Sequence, residues 1–334
     1  MSLVSIIMPA FNAENWILPA VQSACAQTHE DLEIIVIDDG STDETADAVS
    51  SIQDKRIRLI RQTNAGQSAA ANLGLENARG EYIKFLDADD ALSPNHIQSQ
   101  LDALQKDNSK IADCAWGYFV EDWHNASPRE ESTNRDYEDP LEWLVESLSQ
   151  NEGMMGGWKW LIPQAVIERA GGWNPKLGLN NDFDFSIRLL LASTGVKWAP
   201  DALYAYRKTT TTSLSGSRSR KAMESAYLTT MLGCNQLLAR ENSERIRRLC
   251  ANRYQMWLFQ FFPEYPDLAQ KAEKAVTSLG GSDLSLQGGR ALKLLMPTLG
   301  WKNIRRMQTF AYRNGWSSIL KRKEQARVNE LEAR

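Results

Sequence analysis

The first hundred residues alternate between short apolar runs and segments whose apolar positions recur at helical spacing. The apolar runs predict strands at 4–8, 33–38, 57–62 and 82–86. The segments that follow them predict helices at about 14–26, 41–51, 67–78 and 93–106. Continuous apolar runs are typical of strands that are covered on both faces. We therefore expect an α/β fold in which helices cover a mostly parallel sheet.

Two of these helices begin with recognisable capping patterns. Ser41 followed by Glu44 resembles a capping box, and Ser93-Pro94 resembles an N-cap with proline at the first helical position. We expect these residues to mark the helix starts.

Polar side chains cluster where the predicted strands end. Asn12 follows the first strand, Asp38 and Asp39 end the second, Asn64 follows the third, and Asp87 follows the fourth. In parallel α/β sheets the ligand crevice lies beyond the carboxyl ends of the strands. The sequence therefore predicts a binding site at this edge.

The second half of the chain is less regular. We expect strands at 111–120 and 156–163, a polar loop at 125–140, helices at 141–150 and 180–193, and two closing strands near 196–208. A Ser/Thr/Gly-rich segment at 209–220 precedes about 120 residues of helical pattern. The predicted domains are 1–212 and a helical C-terminal region, 213–334.

Charge and composition narrow the function classes. The net charge of -4 gives no general attraction to nucleic acid, but residues 290–334 carry eleven Lys and Arg against three Glu. No signal peptide pattern or 18-residue apolar run is evident, so we expect a cytoplasmic protein. The four separated cysteines predict free thiols, and the three histidines show no zinc spacing.

The stretch Asp87-Ala88-Asp89-Asp90 ends the fourth strand. Two like charges about 4 Å apart cost roughly 4 kcal/mol at an effective dielectric constant near 20. Mn²⁺ or Mg²⁺ would remove that repulsion, since such cations accept one or two carboxylates together with phosphate oxygens. Taken alone, the motif favours a solvated loop with an aspartate N-cap.

Four stretches in order resemble glycosyltransferase family 2, the nucleotide-sugar-dependent enzymes of the Rossmann-like GT-A fold. They are VSIIMPAFNAE, EIIVIDDGSTDET, NAGQSAAANLGLENARGEYIKFLDADD and GLNNDFDFSIRLL, and the resemblance covers about residues 3–210. It implies an inverting glycosyltransferase of hexosyltransferase type that uses a divalent metal. A UDP-sugar donor is expected, with a cell-surface glycan, glycolipid or glycoprotein as acceptor.

The resemblance also implies roles for individual residues. Asp182 would be the catalytic base, and Asp39 would accept a hydrogen bond from the nucleotide base. Asp87-Ala88-Asp89 would be the Asp-x-Asp motif, in which Asp89 binds the metal and Asp87 lies near the ribose and sugar. The backbone of Pro9, Ala10 and Phe11 would line the nucleotide pocket. Asp39 as a turn residue and Asp182 as a first-turn helix residue are the alternatives.

Two positions depart from the family pattern. Ala71 stands where the family commonly has arginine, and Asn181 stands where it has glutamate before the base. These departures favour a second hypothesis, a nucleotide-sugar-binding module with little catalysis that serves as an interaction protein. The Gln-x-x-Arg-Trp pattern of processive members is absent, so transfer of a single sugar is expected.

A phosphohydrolase with Asp87 as nucleophile would also place Asp-x-Asp after a strand, but it would not explain the DDGSTD stretch. A dinucleotide-dependent oxidoreductase is disfavoured because no Gly-x-Gly-x-x-Gly follows the first strand.

The remaining predictions concern the acceptor and the membrane. Trp158 and Trp160, with Lys159 and Trp173, are candidates for an aromatic acceptor platform, although burial in the core is an equal alternative. Arg207, with Lys208 and 213–220, is a candidate for a lid over the diphosphate, or else part of a linker. The basic tail is a candidate for peripheral contact with the inner face of an anionic membrane, or for a homodimer interface.

Overall fold

The computed structural model describes residues 2–149, 155–208, 216–287 and 290–316. The chain divides into two compact units, residues 1–209 and 210–334. The first unit contains the elements that carry the family resemblance. The second is helical wherever it has regular structure among its described residues.

The first unit alternates strands and helices along its N-terminal half. The strands are β1 (Val4–Ala10), β2 (Leu32–Asp38), β3 (Ile57–Arg61), β4 (Tyr82–Phe85) and β5 (Ala91–Leu92). The helices are α1 (Ile17–Cys25), α2 (Thr45–Ser50), α3 (Gln67–Asn77) and α4 (His96–Leu104).

The rest of the unit adds three strands, three helices and two short 3₁₀ turns. The strands are β6 (Ile111–Phe119), β7 (Leu161–Pro163) and β8 (Val196–Arg207). The helices are α5 (Pro140–Ser149), α6 (Gln164–Ala170) and α7 (Asn181–Ala192), and the 3₁₀ turns are Trp123–Asn125 and Gly157–Lys159.

These eight strands form one mixed sheet in the order β3-β2-β1-β4-β7-β6-β8-β5. The β3-β2-β1-β4 half is parallel. In the other half β6 and β8 are parallel, whereas β7 and β5 run antiparallel to their neighbours. Every residue of β2 and β4 is buried, which explains their continuous apolar runs. The expected α/β fold is confirmed, with more antiparallel pairing than the sequence suggested.

Several predicted boundaries are wrong for local reasons. Helix α2 begins at Thr45, and Ser41 instead accepts a hydrogen bond from the backbone of Asn12, so the capping box is not formed. Helix α4 begins at His96 after Asn95, two residues later than the Ser93-Pro94 pattern indicated. The strand predicted at 156–163 shortens to β7 because its first part forms a 3₁₀ turn. The two closing strands are one continuous strand, β8.

The second unit consists mainly of α8 (Arg220–Arg240), α9 (Glu244–Phe261), α10 (Pro266–Ser278) and α11 (Arg290–Ala311). Ser219 and Ser243 cap α8 and α9 by accepting hydrogen bonds from the backbone of Ala222 and Ile246. All four cysteines are free, as predicted. No helix in the described part of the chain combines the length and the apolar character that crossing a membrane requires.

Candidate active site

The carboxyl ends of β1, β2 and β4 meet at one edge of the parallel half-sheet. In-register pairing fixes this arrangement, since Ala10 of β1 is opposite Asp38 of β2, and Ile7 is opposite Phe85 of β4. An open pocket lies at this edge. It is lined by Pro9, Gln67, Ala71, Phe85, Asp87, Trp158, Trp173 and Asp182. The structure therefore brings together Asp87 and Asp182, which lie 95 positions apart in the sequence.

The acidic loop after β4 contains carboxylates in two different environments. Asp87 faces the pocket and accepts a hydrogen bond of 3.2 Å from the amide of Gln67. Asp90 points into the protein, where it accepts 2.8 Å and 2.7 Å hydrogen bonds from the Tyr204 hydroxyl and the Arg207 backbone N–H. Asp90 therefore anchors the loop to β8, and Asp87 remains available to a ligand.

The electrostatics of the loop show the cost of keeping these carboxylates together. Burial, reinforced by the charges of Asp89 and Asp182, raises the pKa of Asp87 to about 8. Burial also raises the pKa of Asp89, and the positive charge of Arg207 opposes that increase. A positive charge delivered to this loop would therefore stabilise the ionised carboxylates.

A divalent cation fits this donor set when it arrives with a diphosphate. Within the described ranges, no group of three or more His, Cys, Asp or Glu side chains is arranged to hold a metal. Mg²⁺, however, keeps most of its ligands as water and phosphate oxygens and needs only one or two carboxylates. Asp89 would provide such a carboxylate, with Asp87 beside it in the same loop.

Asp182 lies in the first turn of α7. Its Oδ1 accepts a 2.8 Å hydrogen bond from the backbone N–H of Gly157, in the 3₁₀ turn before β7. Burial raises the pKa of Asp182 to about 6, and that hydrogen bond limits the increase. A carboxylate with this pKa is ionised at neutral pH and can still accept a proton, which is what a general base requires.

Asn181 is a buried amide at the junction of two helix starts. Its Nδ2 donates to the Ser68 hydroxyl at 3.1 Å and lies 3.5 Å from Oε1 of Gln67, while its Oδ1 accepts from the backbone N–H of Asp182. These contacts link the start of α3 to the start of α7. A carboxylate at this position could not donate to Ser68.

Asp39 makes a local network instead of lining the pocket. Its carboxylate accepts hydrogen bonds of 2.8 Å from the backbone N–H groups of Ala65 and Gly66, and one of 2.6 Å from the Gln62 amide. Asp39 thus fixes the loop between β3 and α3. The local turn contact, from the backbone N–H of Ser41, is made by Asp38 and not by Asp39. A contact of Asp39 with the nucleotide base stays a proposal.

The remaining donor-site candidates lie close to the same edge. Pro9 lines the pocket, and Ala10 is buried at the end of β1. Phe11 is 50% exposed in the following loop. Ala71 also lines the pocket, where the shorter side chain leaves space that arginine would fill. Ala88 is half-buried against the core.

The predicted tryptophan platform is only partly at the site. Trp158 and Trp173 line the pocket. Trp160 is fully buried, packs edge-on against Trp143 and donates to the Ser186 hydroxyl. A side chain with no exposed surface cannot receive an acceptor, so the prediction for Trp160 is corrected. Lys159 is also buried, in ion pairs with Asp113 and Glu131.

Arg207 supports the acidic loop and is not a lid residue. Its Nε donates to the backbone carbonyl of Asp89 at 2.8 Å, and its Nη1 donates to the carbonyl of Val120. The guanidinium also lies 4.4 Å from the ring centres of both Trp16 and Phe119. A side chain held by these contacts cannot open and close over a diphosphate. Residues 213–215 of the predicted lid lie outside the described residues.

Three residues of the site were missed by the sequence analysis. Gln67 contacts Asp87, Gly157 donates to Asp182, and Tyr204 joins Asp90 to the backbone of Asp87. Gly156-Gly157 between apolar residues was a visible signal for a close backbone approach. Gln67 and Tyr204 carry no comparable local signal.

The family model described as Glycosyl transferase family 2 matches residues 5–168. An uncharacterized glycosyltransferase of Rickettsia typhi is 32% identical over 235 residues, which are 68% of this chain and 71% of the relative. EpsJ of Bacillus subtilis, also an uncharacterized glycosyltransferase, is 30% identical over 212 residues, covering 62% of this chain and 61% of EpsJ.

Other relatives match a smaller part of their own length. An uncharacterized glycosyltransferase of Rickettsia felis is 40% identical over 129 residues, but these are 36% of this chain and 21% of the relative. The chain thus spans about a fifth of that protein's length.

Among solved structures, S. aureus TarS 1–349 in complex with UDP-GlcNAc is similar to this chain. The TM-score is 0.68 and the sequence identity 17%, over 94% of this chain and 92% of TarS 1–349. The complex of TarS 1–349 with UDP gives a TM-score of 0.62 at 18% identity, with the same coverage. At these identities the likeness shows a shared fold.

Proposed function

Because this chain belongs to glycosyl transferase family 2, we propose that it transfers a single sugar from a nucleotide diphosphate sugar to an acceptor hydroxyl, with inversion at the anomeric carbon. One observation carries the proposal. Asp87, of the acidic loop, and Asp182, at the start of α7, face one pocket at the carboxyl edge of the parallel strands. That arrangement supports the binding of a donor diphosphate at the acidic loop with a base beside it.

The proposed chemistry is a single displacement. The acceptor oxygen forms a bond to the anomeric carbon, and the bond from that carbon to the diphosphate oxygen breaks. Asp182 takes the hydroxyl proton as the new bond forms, and the nucleoside diphosphate leaves with the electron pair. Attack opposite the leaving group inverts the anomeric centre. A positioned carboxylate typically contributes ~10²–10⁴-fold to such a rate.

Asp89 is the residue proposed to hold Mn²⁺ or Mg²⁺, and Asp87 is proposed to lie near the ribose and sugar. When bound, such a cation offsets the negative charge that develops on the leaving diphosphate. Arg207 fixes the backbone of Asp89, and Tyr204 fixes Asp90, so the loop is held in place before ligand arrives.

UDP is the proposed nucleotide. The proposal draws on the fold shared with TarS, which was solved with UDP and with UDP-GlcNAc. In this chain, the backbone of Pro9, Ala10 and Phe11 and the side chain of Asp39 are the proposed nucleotide contacts. Ala71 removes a potential cation from the pocket, so the bound metal would provide more of the charge compensation for the diphosphate.

The acceptor is proposed to belong to a cell-surface glycan, glycolipid or glycoprotein. Peripheral membrane contact through residues 290–334 is part of this proposal. Helix α11 and the turn after it expose large apolar side chains in a segment rich in Lys and Arg. They are Leu295, Leu299, Met307, Phe310 and Tyr312. Residues 317–334, with five of the tail's cations, lie outside the described residues.

Cosedimentation with vesicles of anionic and of zwitterionic lipid tests the membrane contact. We expect binding to the anionic vesicles alone, and weaker binding for Phe310→Ser. A homodimer interface would instead give concentration-dependent sedimentation that Phe310→Ser abolishes, with no vesicle binding.

Calorimetric titration with UDP, with and without Mn²⁺, tests the donor half of the proposal. We expect binding that needs the metal and is lost in Asp89→Ala. Asp102→Ala is the matched control, because Asp102 is a surface carboxylate on α4. Failure to bind UDP, dTDP or GDP with the metal present would contradict a nucleotide-sugar enzyme.

Turnover of a UDP-sugar separates the enzyme from the non-catalytic binding module. If the protein is an enzyme, the wild type turns over the UDP-sugar and Asp182→Asn loses that activity. If it is a binding module, both proteins bind UDP and neither shows turnover.

A further inference from the structure

Four aromatic side chains pack together on the β6–β8 half of the sheet, where Trp116 and Trp158 are buried and Tyr118 and Tyr206 are partly exposed. We name Trp116, Tyr118, Tyr206 and Trp158 the aromatic patch. Tyr118 of β6 is directly opposite Tyr206 of β8, and their ring centres are 5.9 Å apart. Trp116 lies 5.1 Å from Tyr118 and 6.1 Å from Trp158. Both tyrosines are partly exposed, so the patch has a face that a ligand can reach.

The aromatic patch is continuous with the donor pocket. Trp158 belongs to both, since it lines the pocket with Asp87 and Asp182 and its ring lies 5.8 Å from that of Tyr206. Burial and the charges of the four site aspartates, Asp90, Asp87, Asp89 and Asp182, raise the pKa of Tyr206. A ligand on the patch can therefore extend toward Asp182.

Two cations lie over the aromatic patch. The Arg129 guanidinium is 5.0 Å from the Trp116 ring centre and 5.4 Å from that of Tyr118. The Lys208 ammonium is 5.3 Å from the Tyr118 ring centre. Arg129 reaches this position because its backbone N–H pairs with the carbonyl of Trp116 at the edge of β6.

No carboxylate of the described residues forms an ion pair with Arg129 or Lys208, whereas several other cations of the same unit are paired. Lys110 pairs with Glu138, Lys197 with Asp136, and Arg135 with Glu146. Arg135 provides a direct comparison, since it also lies over an aromatic ring, that of Tyr137, but has an acidic partner. Arg129 and Lys208 thus offer positive charge to a ligand without breaking an ion pair seen in the structure.

We propose that the aromatic patch is the acceptor subsite and that it takes a carbohydrate bearing a phosphate or carboxylate group. The partly exposed rings of Tyr118 and Tyr206 pack against the C–H faces of the sugar, and Arg129 and Lys208 bind its anionic group. The acidic pocket repels that group, so the hydroxyl end of the acceptor is directed toward Asp182. This inference rests on the proposed transferase function for the identity of the ligand as acceptor.

Binding to charged and uncharged members of two sugar pairs tests the proposal. The pairs are mannose 6-phosphate with mannose, and tetragalacturonate with its methyl ester. Binding is measured by tryptophan fluorescence without donor, because Trp116 and Trp158 lie in the patch. We expect a charged member to bind at least about tenfold more tightly than its neutral partner. Arg129→Ala/Lys208→Ala should remove that preference, and Arg135→Ala should retain it.

UDP titration with Mn²⁺ on the same proteins distinguishes failure of the acceptor-subsite inference from failure of the proposed transferase function. We expect Arg129→Ala/Lys208→Ala to bind UDP as the wild type does. Weaker UDP binding would assign these cations to the donor diphosphate and overturn the inference. Equal binding of charged and neutral sugars, or no binding of either charged sugar, would also overturn it. If the wild type did not bind UDP, the result would instead count against the transferase function.

Discussion

The backbone N–H of Gly157 donates a 2.8 Å hydrogen bond to Oδ1 of Asp182. Gly157 lies in the turn before β7 and Asp182 in the first turn of α7, so this hydrogen bond joins two segments of the site. It fixes the orientation of the carboxylate and favours its ionised form. The proposed base is thus positioned by the main chain of a glycine.

Transfer activity is expected to depend on pH through Asp182. Burial raises its pKa to about 6, and the ionised form is the base. The specificity constant kcat/KM, which reports the groups of the free enzyme, should therefore fall as pH decreases through about 6, by roughly tenfold per unit below it. A pH profile of kcat/KM measures this dependence.

Asp182→Asn is the matched variant for that profile. It should lose ~10²–10⁴-fold in kcat and show no step near pH 6, while its affinity for UDP stays close to that of the wild type. A step near pH 6 that persisted in the variant would show that another group is the base.

Gly157→Ala should damage the site through its extra methyl group. A Cβ at this position would lie 2.6 Å from Cη2 of Trp173, which lines the pocket. We expect a loss of about 1–3 kcal/mol in the free energy of unfolding. Turnover should fall as well, because displacement of the turn moves the backbone N–H of residue 157 that donates a hydrogen bond to Asp182. Thermal unfolding and steady-state kinetics measure the two effects.

Gly178→Ala is the control for that substitution. No heavy atom would lie within 4 Å of its Cβ, so stability and turnover should remain close to the wild type. Equal effects of the two alanines would contradict the steric argument.

Asp87→Asn should stabilise the protein in the absence of metal. The pKa of Asp87 is raised to about 8, so its ionised form is disfavoured in the folded state. The carboxyl therefore lowers the free energy of unfolding as pH rises from about 4, its unfolded pKa, toward 8. We expect a gain of roughly 1 kcal/mol at neutral pH and none below about pH 4. Urea unfolding with a chelator present measures it.

Asp90→Ala should destabilise the protein, although burial raises the pKa of Asp90 as it does that of Asp87. Its carboxylate accepts from the Tyr204 hydroxyl and the Arg207 backbone N–H. Each donor left without a partner costs about 1–3 kcal/mol. Stabilisation by both substitutions would show that Asp90 does not anchor the loop.

Asn181→Asp tests whether the departure from the family pattern impairs the enzyme. The carboxylate cannot donate to Ser68, and it adds a negative charge beside Asp182. We expect a loss of about 1–3 kcal/mol in stability and no gain in turnover. Asn174→Asp is the control, because its oxygen accepts from the Lys176 backbone and that bond survives the change. Higher turnover in Asn181→Asp would support the impaired-enzyme hypothesis.

The strands of the donor half and the acidic loop could be predicted because their signals are local. Buried parallel strands appear as continuous apolar runs, and Asp87 and Asp89 follow one of them directly. The sequence also suggested that Asp182 lies in the first turn of a helix, as the alternative to its role as base. Asp182 does lie in the first turn of α7.

Residues whose roles depend on distant partners could not be predicted. Arg207 bonds to Asp89 across 118 positions, and Tyr204 bonds to Asp90 across 114. Asn72 holds the backbone of Trp173, 101 positions away, through two 2.8 Å hydrogen bonds. Trp160 is buried because β7 places it against Trp143, which no local pattern reveals. In each case, folding of the whole sheet decides the contact.

The mixed sheet separates the proposed donor and acceptor contacts into different stretches of chain. The parallel strands and their loops, within 4–86, carry most of the donor contacts, and the aromatic patch with its cations lies within 116–208. The loop Asp87–Asp90 is tied to both, through Gln67 on one side and β8 on the other. Mutations that change the donated sugar and mutations that change its recipient can therefore accumulate independently during evolution, provided that this loop is preserved.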